Sequence, residues 1–318
     1  MRKVPELNQI DLIKGTNLEK QRFIDDFYNG LVEYGFIVLN PYQFDFTLID
    51  QAYTKFQKFF ALPMETKMNY FGNNGGQRGY VPLLVEHAKD SKNPDLKEFW
   101  HIGRELEPDN HYYNSKDYPN NIWCEDVVAG FKQTGLAVYQ QLDSVAKSMF
   151  HSLAQSLNVP DSYFQDMTKD GNSILRTIHY PPLEKFTQKD SIRAGAHEDI
   201  NLITLLVGAT DGGLQLLDRD GKWLDVPSLP NQIVIDSGDM LSRITNDVIP
   251  ATTHRVINPD KSTSERYSMP FFCHPHANAE LNCIPSCQGT GKKYPDILAK
   301  EFLTQRLIEI GVLKAESE

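Results

Sequence analysis

The spacing of apolar residues along the first 160 positions is typical of helices. In residues 18–34, four apolar side chains share one helical stripe, and Gly35 follows where the helix should end. The stripe consists of Phe23, Phe27, Leu31 and Tyr34. Two further helices are predicted over 47–60 and 126–157, with a short strand over 36–39. Because these helices carry apolar faces, we expect them to cover another layer of the protein.

Residues 173–273 have a different pattern, with short apolar or alternating runs separated by turn signals about every ten positions. The predicted strands are 174–180, 201–207, 214–217, 223–225, 232–236, 254–257 and 267–273. Gly221 suits a hairpin turn over 218–222, and a last helix is predicted over 294–312. The pattern indicates a mainly β protein with flanking helices and a jelly-roll core, that is, a double-stranded β-helix.

This pattern divides the chain into three regions. We expect a mostly helical region over 1–160, the jelly-roll core over 170–275 and a helical extension over 276–318, together forming one compact unit.

Composition and charge exclude several classes of protein. The chain has 318 residues, of which 40% are hydrophobic and 23% charged, as in ordinary globular proteins. Its net charge of −10 makes a nucleic acid or an anionic membrane an unlikely partner. The apolar run 202–207 is far shorter than the ~20 residues of a membrane helix, and no apolar signal region follows Met1. We therefore expect a cytoplasmic protein.

Four cysteines are too few for a disulfide scaffold in a chain of this length. Cys283 and Cys287, with His274 and His276 nearby, match zinc-ligand spacing. Ordinary burial of the cysteines is the simpler interpretation, and we expect them to be reduced.

Two histidines and one aspartate have the spacing of a metal site. His197 and Asp199 would lie on the same face of a strand, because side chains two residues apart point the same way. His254, 57 residues downstream, is the best third ligand. Two imidazoles and a carboxylate on one face of a metal are typical of non-haem Fe(II) oxygenases, whose open positions take oxygen and substrate.

A second pair of polar residues follows on the last predicted strand. Arg266 and Ser268 also lie two residues apart, and a guanidinium offers a planar fork to a carboxylate. The hydroxyl of Tyr180, on the first predicted strand, could complete such a carboxylate clamp.

The segments that carry these residues resemble the Fe(II)/2-oxoglutarate-dependent dioxygenases, specifically the isopenicillin N synthase-like branch. In the predicted core the matching segments are LRTIHYPP at 175–182, HED at 197–199, TLL at 204–206, GGLQ at 212–215, DSGDM at 236–240, TN at 245–246, THRV at 253–256 and RYSMPFF at 266–272. In the first half they are YGF at 34–36, FFALP at 59–63 and DLKE at 95–98. The similarity covers most of the chain, in the family's order.

The resemblance implies an enzyme with Fe(II) and 2-oxoglutarate as cofactors. His197, Asp199 and His254 would bind the metal, while Arg266 and Ser268, helped by Tyr180, would hold the distal carboxylate of 2-oxoglutarate. Such an enzyme uses molecular oxygen to hydroxylate, desaturate or cyclise a small molecule and releases succinate and carbon dioxide. The resemblance also implies that residues 1–160 are this family's N-terminal region.

Two other functions remain open at this point. In a 2-oxoglutarate-independent Fe(II) oxidase or cyclase of the isopenicillin N synthase type, the clamp would hold a substrate carboxylate instead. A non-catalytic protein could use the barrel to bind a small carboxylate.

Further residues near the motifs are candidates for contacts with 2-oxoglutarate or with the substrate. The branch often has Asn where this chain has Ile178, so a polar contact near 2-oxoglutarate is missing or is replaced by His179. Arg78, Tyr80 and Arg104 are candidate substrate contacts, with the glycine-containing segment 75–80 placed near the substrate entrance.

Overall fold

A computed structural model describes residues 3–72, 76–83, 96–182, 193–210, 212–226, 230–257 and 265–310. Small parts of three predicted segments fall outside these ranges: Asp95 of 95–98, Gly75 of 75–80, and the last two positions of the helix predicted over 294–312. In the described ranges no helix has the length and apolarity needed to cross a membrane.

The elements alternate between helices and short strands along the first half of the chain. In order they are β1 (Glu6–Asn8), α1 (Gln9–Lys14), α2 (Asn17–Tyr34), β2 (Phe36–Asn40), α3 (Phe46–Phe60), α4 (Met64–Met68), β3 (Gly79–Val81), β4 (Glu98–Gly103), α5 (Phe131–Ser156) and α6 (Tyr163–Thr168).

The second half contains most of the strands. They are β5 (Ile174–Tyr180), β6 (Ala194–His197), β7 (Ile203–Val207), β8 (Leu214–Leu217), β9 (Trp223–Asp225), β10 (Ile233–Ser237), β11 (His254–Val256) and β12 (Arg266–Cys273). Helix α7 (Asp239–Ile244), a 3₁₀ turn (Pro285–Cys287) and helix α8 (Ala299–Glu309) complete the described elements.

These strands form the two facing sheets of a jelly roll. Within the described residues, the larger sheet has the order β1-β2-β10-β7-β12-β5-β4-β3 and the smaller one the order β6-β11-β8-β9. The space between the sheets contains apolar side chains from both, including Val38 and Val234 of the larger sheet and Leu216 and Val256 of the smaller one. The predicted jelly roll with flanking helices is therefore confirmed.

Helices α2, α3 and α5 cover the outer face of the larger sheet. Their apolar stripes share one core cluster with sheet residues such as Leu205, Ile235 and Phe271. The turn from α2 into β2 depends on Gly35, which has φ 66° and lies so close to Thr252 that an added Cβ would fall 2.0 Å from its hydroxyl oxygen.

Most predicted elements are present, but some boundaries and several strands differ. Helix α5 starts at Phe131 rather than 126, because Gly130 takes a left-handed conformation with φ 72°. Helix α8 starts at Ala299 rather than 294, because Leu298 is still extended, with φ −78° and ψ 148°, and its N–H donates to the side chain of Glu301 in the first turn. The strands β1, β3, β4 and β6 were not predicted.

Candidate active site

The three candidate metal ligands meet where the ends of two neighbouring strands of the smaller sheet lie side by side. His197 is the last residue of β6, and His254 is the first residue of β11 and its direct antiparallel partner. Asp199 lies just beyond β6 rather than on it, so the expected strand geometry holds for His197 but not for Asp199.

Their ligating atoms converge on one point. The Nε2 atoms of His197 and His254 lie 3.8 Å and 3.9 Å from Oδ1 of Asp199. One ligand atom from each residue lies within 4.8 Å of the other two. In the described part of the chain no second group of three such residues was found, so Cys283 and Cys287 do not form the alternative zinc site there.

Hydrogen bonds engage the other polar atoms of these three side chains, so that the converging atoms are available to bind a metal. Nδ1 of His197 donates to the carbonyl of Gly195 at 2.7 Å, and Nδ1 of His254 donates to that of Thr252 at 3.2 Å. A donating Nδ1–H leaves the Nε2 lone pair available for a metal. The hydroxyl of Thr204 donates to Oδ2 of Asp199, which leaves Oδ1 on the side of the histidines.

The backbone around Asp199 is fixed by the start of α7. The Asp199 carbonyl accepts the Asp239 N–H at 2.7 Å. Gly238 lies so close that an added Cβ would be 2.3 Å from the carbonyl oxygen of Asn201 and 2.7 Å from that of Asp199. This contact explains a glycine in the segment 236–240.

The electrostatic environment suits a neutral imidazole beside an ionised carboxylate. Burial and the neighbouring His254 lower the pKa of His197 to about 4. Burial opposes ionisation of Asp199, but His254, His197 and the Thr204 hydroxyl outweigh it and hold the pKa below its usual value. Both groups are therefore in their metal-binding protonation states at neutral pH.

The proposed clamp residues lie on the inner face of the larger sheet. Arg266 and Ser268 are 1% and 3% exposed, and Arg266 is the direct β-sheet partner of Tyr180. The guanidinium of Arg266 lies 5.0 Å from the centre of the Tyr180 ring, close enough for a cation–π contact. The structure thus brings the three predicted clamp residues together.

His179 and Ile178 differ in the face that they occupy. Ile178 packs with Tyr180, Val81 and Phe99 on the inner face. His179 points the other way, where its ring stacks on Tyr267 with centroids 4.7 Å apart. It therefore does not replace a polar group at position 178.

The three candidate substrate contacts have structural partners instead. Arg78 is 1% exposed and donates to Asn172 at 2.8 Å. Tyr80 is fully buried and donates to Glu98, while Arg104 forms an ion pair with Asp143 at 2.9 Å. These contacts run against the expectation that the three residues bind substrate.

Sequence reasoning assigned no role to two residues that support the metal site. Thr204 orients Asp199 and accepts a hydrogen bond from Asn201 Nδ2 at 2.8 Å. The sequence contains this threonine in the segment 204–206. A prediction that considers only the usual metal-binding residue types assigns it no role.

Comparison with known proteins gives matches along most of the chain. Residues 171–275 match the model of the 2OG-Fe(II) oxygenase superfamily, and residues 7–126 match that of the non-haem dioxygenase N-terminal region in morphine synthesis. The 2-oxoglutarate-Fe(II) type oxidoreductase hxnY of Emericella nidulans is 36% identical over 256 residues, which cover 78% of this chain and 73% of that protein.

Solved structures show the same similarity. A 2OG-Fe(II) oxygenase family protein from Caulobacter crescentus superposes with a TM-score of 0.85 at 40% identity, covering 96% of this chain and 98% of that one. A full-length Neurospora crassa protein in complex with alpha-KG superposes with a TM-score of 0.83 at 29% identity, covering 95% and 94%. The same Neurospora crassa protein has also been solved with both alpha-KG and thymine.

Proposed function

We infer the roles of individual residues from the premise that this chain belongs to the 2OG-Fe(II) oxygenase superfamily and is a non-haem Fe(II), 2-oxoglutarate-dependent dioxygenase. His197, Asp199 and His254 are its iron ligands. The observation that carries this assignment is the convergence of two Nε2 atoms and one carboxylate oxygen, with every other polar atom of these side chains already hydrogen-bonded. Two imidazoles and one carboxylate are the ligand set of Fe(II) oxygenases.

Arg266 and Ser268 bind the distal carboxylate of 2-oxoglutarate. A buried guanidinium forms strong, bidentate hydrogen bonds to a carboxylate, and the Ser268 hydroxyl on the same face adds a donor. Tyr180 supports Arg266 with its ring. The clamp fixes the co-substrate by its far end, so that its keto acid end is left for the metal.

Fe(II) and 2-oxoglutarate, when bound, supply the oxygen activation, in which 2-oxoglutarate is oxidised to succinate and carbon dioxide. The chain's own residues orient the reactants and limit the access of water. The barrel wall next to the ligands is apolar, and the Phe36 ring lies edge-on to His254 with centroids 5.6 Å apart. A site enclosed in this way favours oxidation of the bound substrate over side reactions.

The substrate is a small molecule that is oxidised with molecular oxygen inside the barrel. Support comes from the Neurospora crassa protein, which was solved with thymine as well as alpha-KG. We place the protein in the cytoplasm, where 2-oxoglutarate is available and its four free cysteines would stay reduced.

Anaerobic titration of the purified protein with Fe(II) and then 2-oxoglutarate tests the assignment. We expect a weak visible charge-transfer band that saturates at one equivalent of iron. In air, the loaded enzyme should slowly release succinate even without substrate. The absence of both the band and succinate would overturn the proposed function.

Replacing Thr204 with valine should weaken iron binding about 10- to 100-fold, the usual effect of losing an outer partner of a metal ligand. Valine keeps the shape but removes the hydroxyl that holds Oδ2 of Asp199. The matched control is Thr177→Val, because the buried Thr177 hydroxyl has no hydrogen-bond partner among the described residues. Competition with a fluorescent chelator measures the affinity; equal losses in both variants would contradict the role of Thr204.

Replacing Arg266 with glutamine should weaken 2-oxoglutarate binding roughly 10- to 100-fold. A hydrogen bond to a charged group contributes about 1.5–3 kcal/mol, and 1.4 kcal/mol is a factor of ten. Lysine at this position should give an intermediate loss, since it keeps the charge but not the fork. Iron affinity, measured on the same samples, should stay near the wild-type value; a parallel loss of iron would point to misfolding instead.

A further inference from the structure

A salt bridge connects the C-terminal helix α8 to the start of α7, and nothing above gives it a function. Nε of Arg306, on α8, donates to Oδ2 of Asp239 at 2.8 Å. The two side chains are only 20% and 12% exposed, so this ion pair is screened less than one on the open surface. Nη1 of Arg306 also donates to the carboxylate of Glu309 at 2.6 Å. Two acidic groups therefore hold the guanidinium in one orientation.

The backbone at Asp239 holds the loop 199–202, whose first residue is Asp199. The N–H groups of Gly238, Asp239 and Met240 all donate to carbonyl oxygens of this loop. The shortest of these hydrogen bonds, 2.7 Å, joins the Asp239 N–H to the Asp199 carbonyl. Through its side chain and its backbone, Asp239 thus connects α8 to the main chain of a proposed metal ligand.

The other end of α7 is held without Arg306. The N–H of Ile284 donates to the carbonyl of Ile244, the last residue of α7, at 2.8 Å. Just beyond the helix, Nδ2 of Asn246 donates to three carbonyl groups in the segment 287–291. Loss of the Arg306 guanidinium would therefore loosen the first turn of α7 while its last turn stays anchored.

We propose that Arg306 is a positioning residue of the metal site, which acts through Asp239 to fix the loop that carries Asp199. Thr204 holds the carboxylate group of Asp199, whereas Arg306 acts on its backbone. A ligand that is already held in place loses less conformational entropy when it binds the metal, so its affinity is higher. This inference rests on the proposed function, since it concerns a metal ligand that is assigned there.

Hydrogen exchange in the metal-free protein tests the structural part of the inference. Arg306→Met keeps an apolar stem but removes the guanidinium. We expect the backbone N–H groups of residues 238–240 to exchange at least about fivefold faster in this variant than in wild type, because they are exposed when the first turn of α7 opens. Mass spectrometry of peptides that contain these residues measures the rates. Unchanged exchange would overturn the inference.

Iron affinity tests the consequence for the metal site. In competition with a fluorescent chelator, Arg306→Met should bind Fe(II) at least about threefold more weakly than wild type, a smaller loss than that expected for a direct partner of a ligand. The affinity for 2-oxoglutarate at saturating iron should change by less than about twofold, because Arg266 has no contact with this ion pair. Arg306→Lys, which keeps a positive charge, should recover part of the iron affinity. Equal losses in the methionine and lysine variants would exclude a role of the ion pair.

Lys293→Met is the control for a general effect of the C-terminal extension. Nζ of Lys293 lies 3.0 Å from Oδ2 of Asp247, so this variant removes an ion pair at the opposite end of α7, although a more exposed one. Its iron affinity and its exchange at residues 238–240 should equal those of wild type. If Lys293→Met loses as much iron affinity as Arg306→Met, the extension acts only through overall stability and the inference fails.

A double-mutant cycle with Asp239→Asn tests whether the two residues act together. Asparagine keeps the backbone N–H that donates to Asp199 but removes the charge that pairs with Arg306. The double variant Arg306→Met with Asp239→Asn should lose no more iron affinity than the weaker-binding single variant. Losses that multiply would show that Arg306 does not act through Asp239. A wild-type protein without the charge-transfer band would instead contradict the proposed function itself.

Discussion

Replacing His254 with alanine is expected to abolish stoichiometric iron binding and to reduce succinate release at least about a hundredfold. An outer partner of a metal ligand typically contributes 10- to 100-fold, and a ligand itself should contribute more. His254 supplies one of the three converging atoms, and its Nε2 lies 3.9 Å from Oδ1 of Asp199. Metal analysis of the reconstituted protein and a succinate assay at saturating 2-oxoglutarate measure the two effects.

His276→Ala is the matched control for this experiment. His276 is half-buried, whereas His254 is buried, and it is likewise hydrogen-bonded, with its Nδ1 3.2 Å from the hydroxyl of Tyr112. It belongs to no cluster of metal-ligand residues among the described residues. Its loss should leave iron content and succinate release unchanged. Retention of one iron per chain and full activity by His254→Ala would refute the assignment of all three ligands.

The candidate metal site could be predicted in part, because the spacing of His197 and Asp199 is local in the sequence, whereas His254 lies 57 residues downstream. His197 and Asp199 are two residues apart, and His254 is the first residue of an apolar run that predicts a strand. That strand, β11, pairs with the strand that ends at His197. Strand β6 itself was missed, since alanine and glycine precede His197 and carry no β-forming signal. The residue types and their spacing identify His197 and Asp199 as a pair. Their geometry could not be predicted, because Asp199 lies beyond the end of β6 rather than on the strand.

Strand β4 and the residues around it show what the sequence could not reveal. All six residues of β4 are buried, so the strand lacks the alternation that marks a half-exposed one. Arg78 and Tyr80 looked like substrate contacts because polar residues in a glycine-containing segment are usually exposed. Both are buried because Asn172 and Glu98, each distant in sequence, supply their partners.

The partner of Tyr80 also belongs to a buried ion pair whose disruption should have the largest effect on stability. Glu98 is 2% exposed and accepts hydrogen bonds from Lys67 at 2.7 Å, from Tyr80 at 2.5 Å and from His179 at 2.8 Å. Glu98→Leu leaves the buried ammonium of Lys67 uncompensated, which typically costs about 3–5 kcal/mol. Urea denaturation of the two proteins at neutral pH should show a loss of this size in the free energy of unfolding.

The double variant Lys67→Met with Glu98→Leu should recover much of this loss, because removing both charges also removes the cost of burying them.

The loss of stability in Glu98→Leu should also depend on pH. Burial opposes ionisation of Glu98, but its hydrogen bonds from His179, Lys67 and Tyr80 outweigh it and lower its pKa in the folded state. The stabilisation is therefore present above the pKa of the unfolded chain and is lost as the pH falls through the folded value. The difference in the free energy of unfolding between wild type and Glu98→Leu should therefore become smaller on acidification. A difference that stays constant or grows would show that packing, not the ion pair, determines the loss.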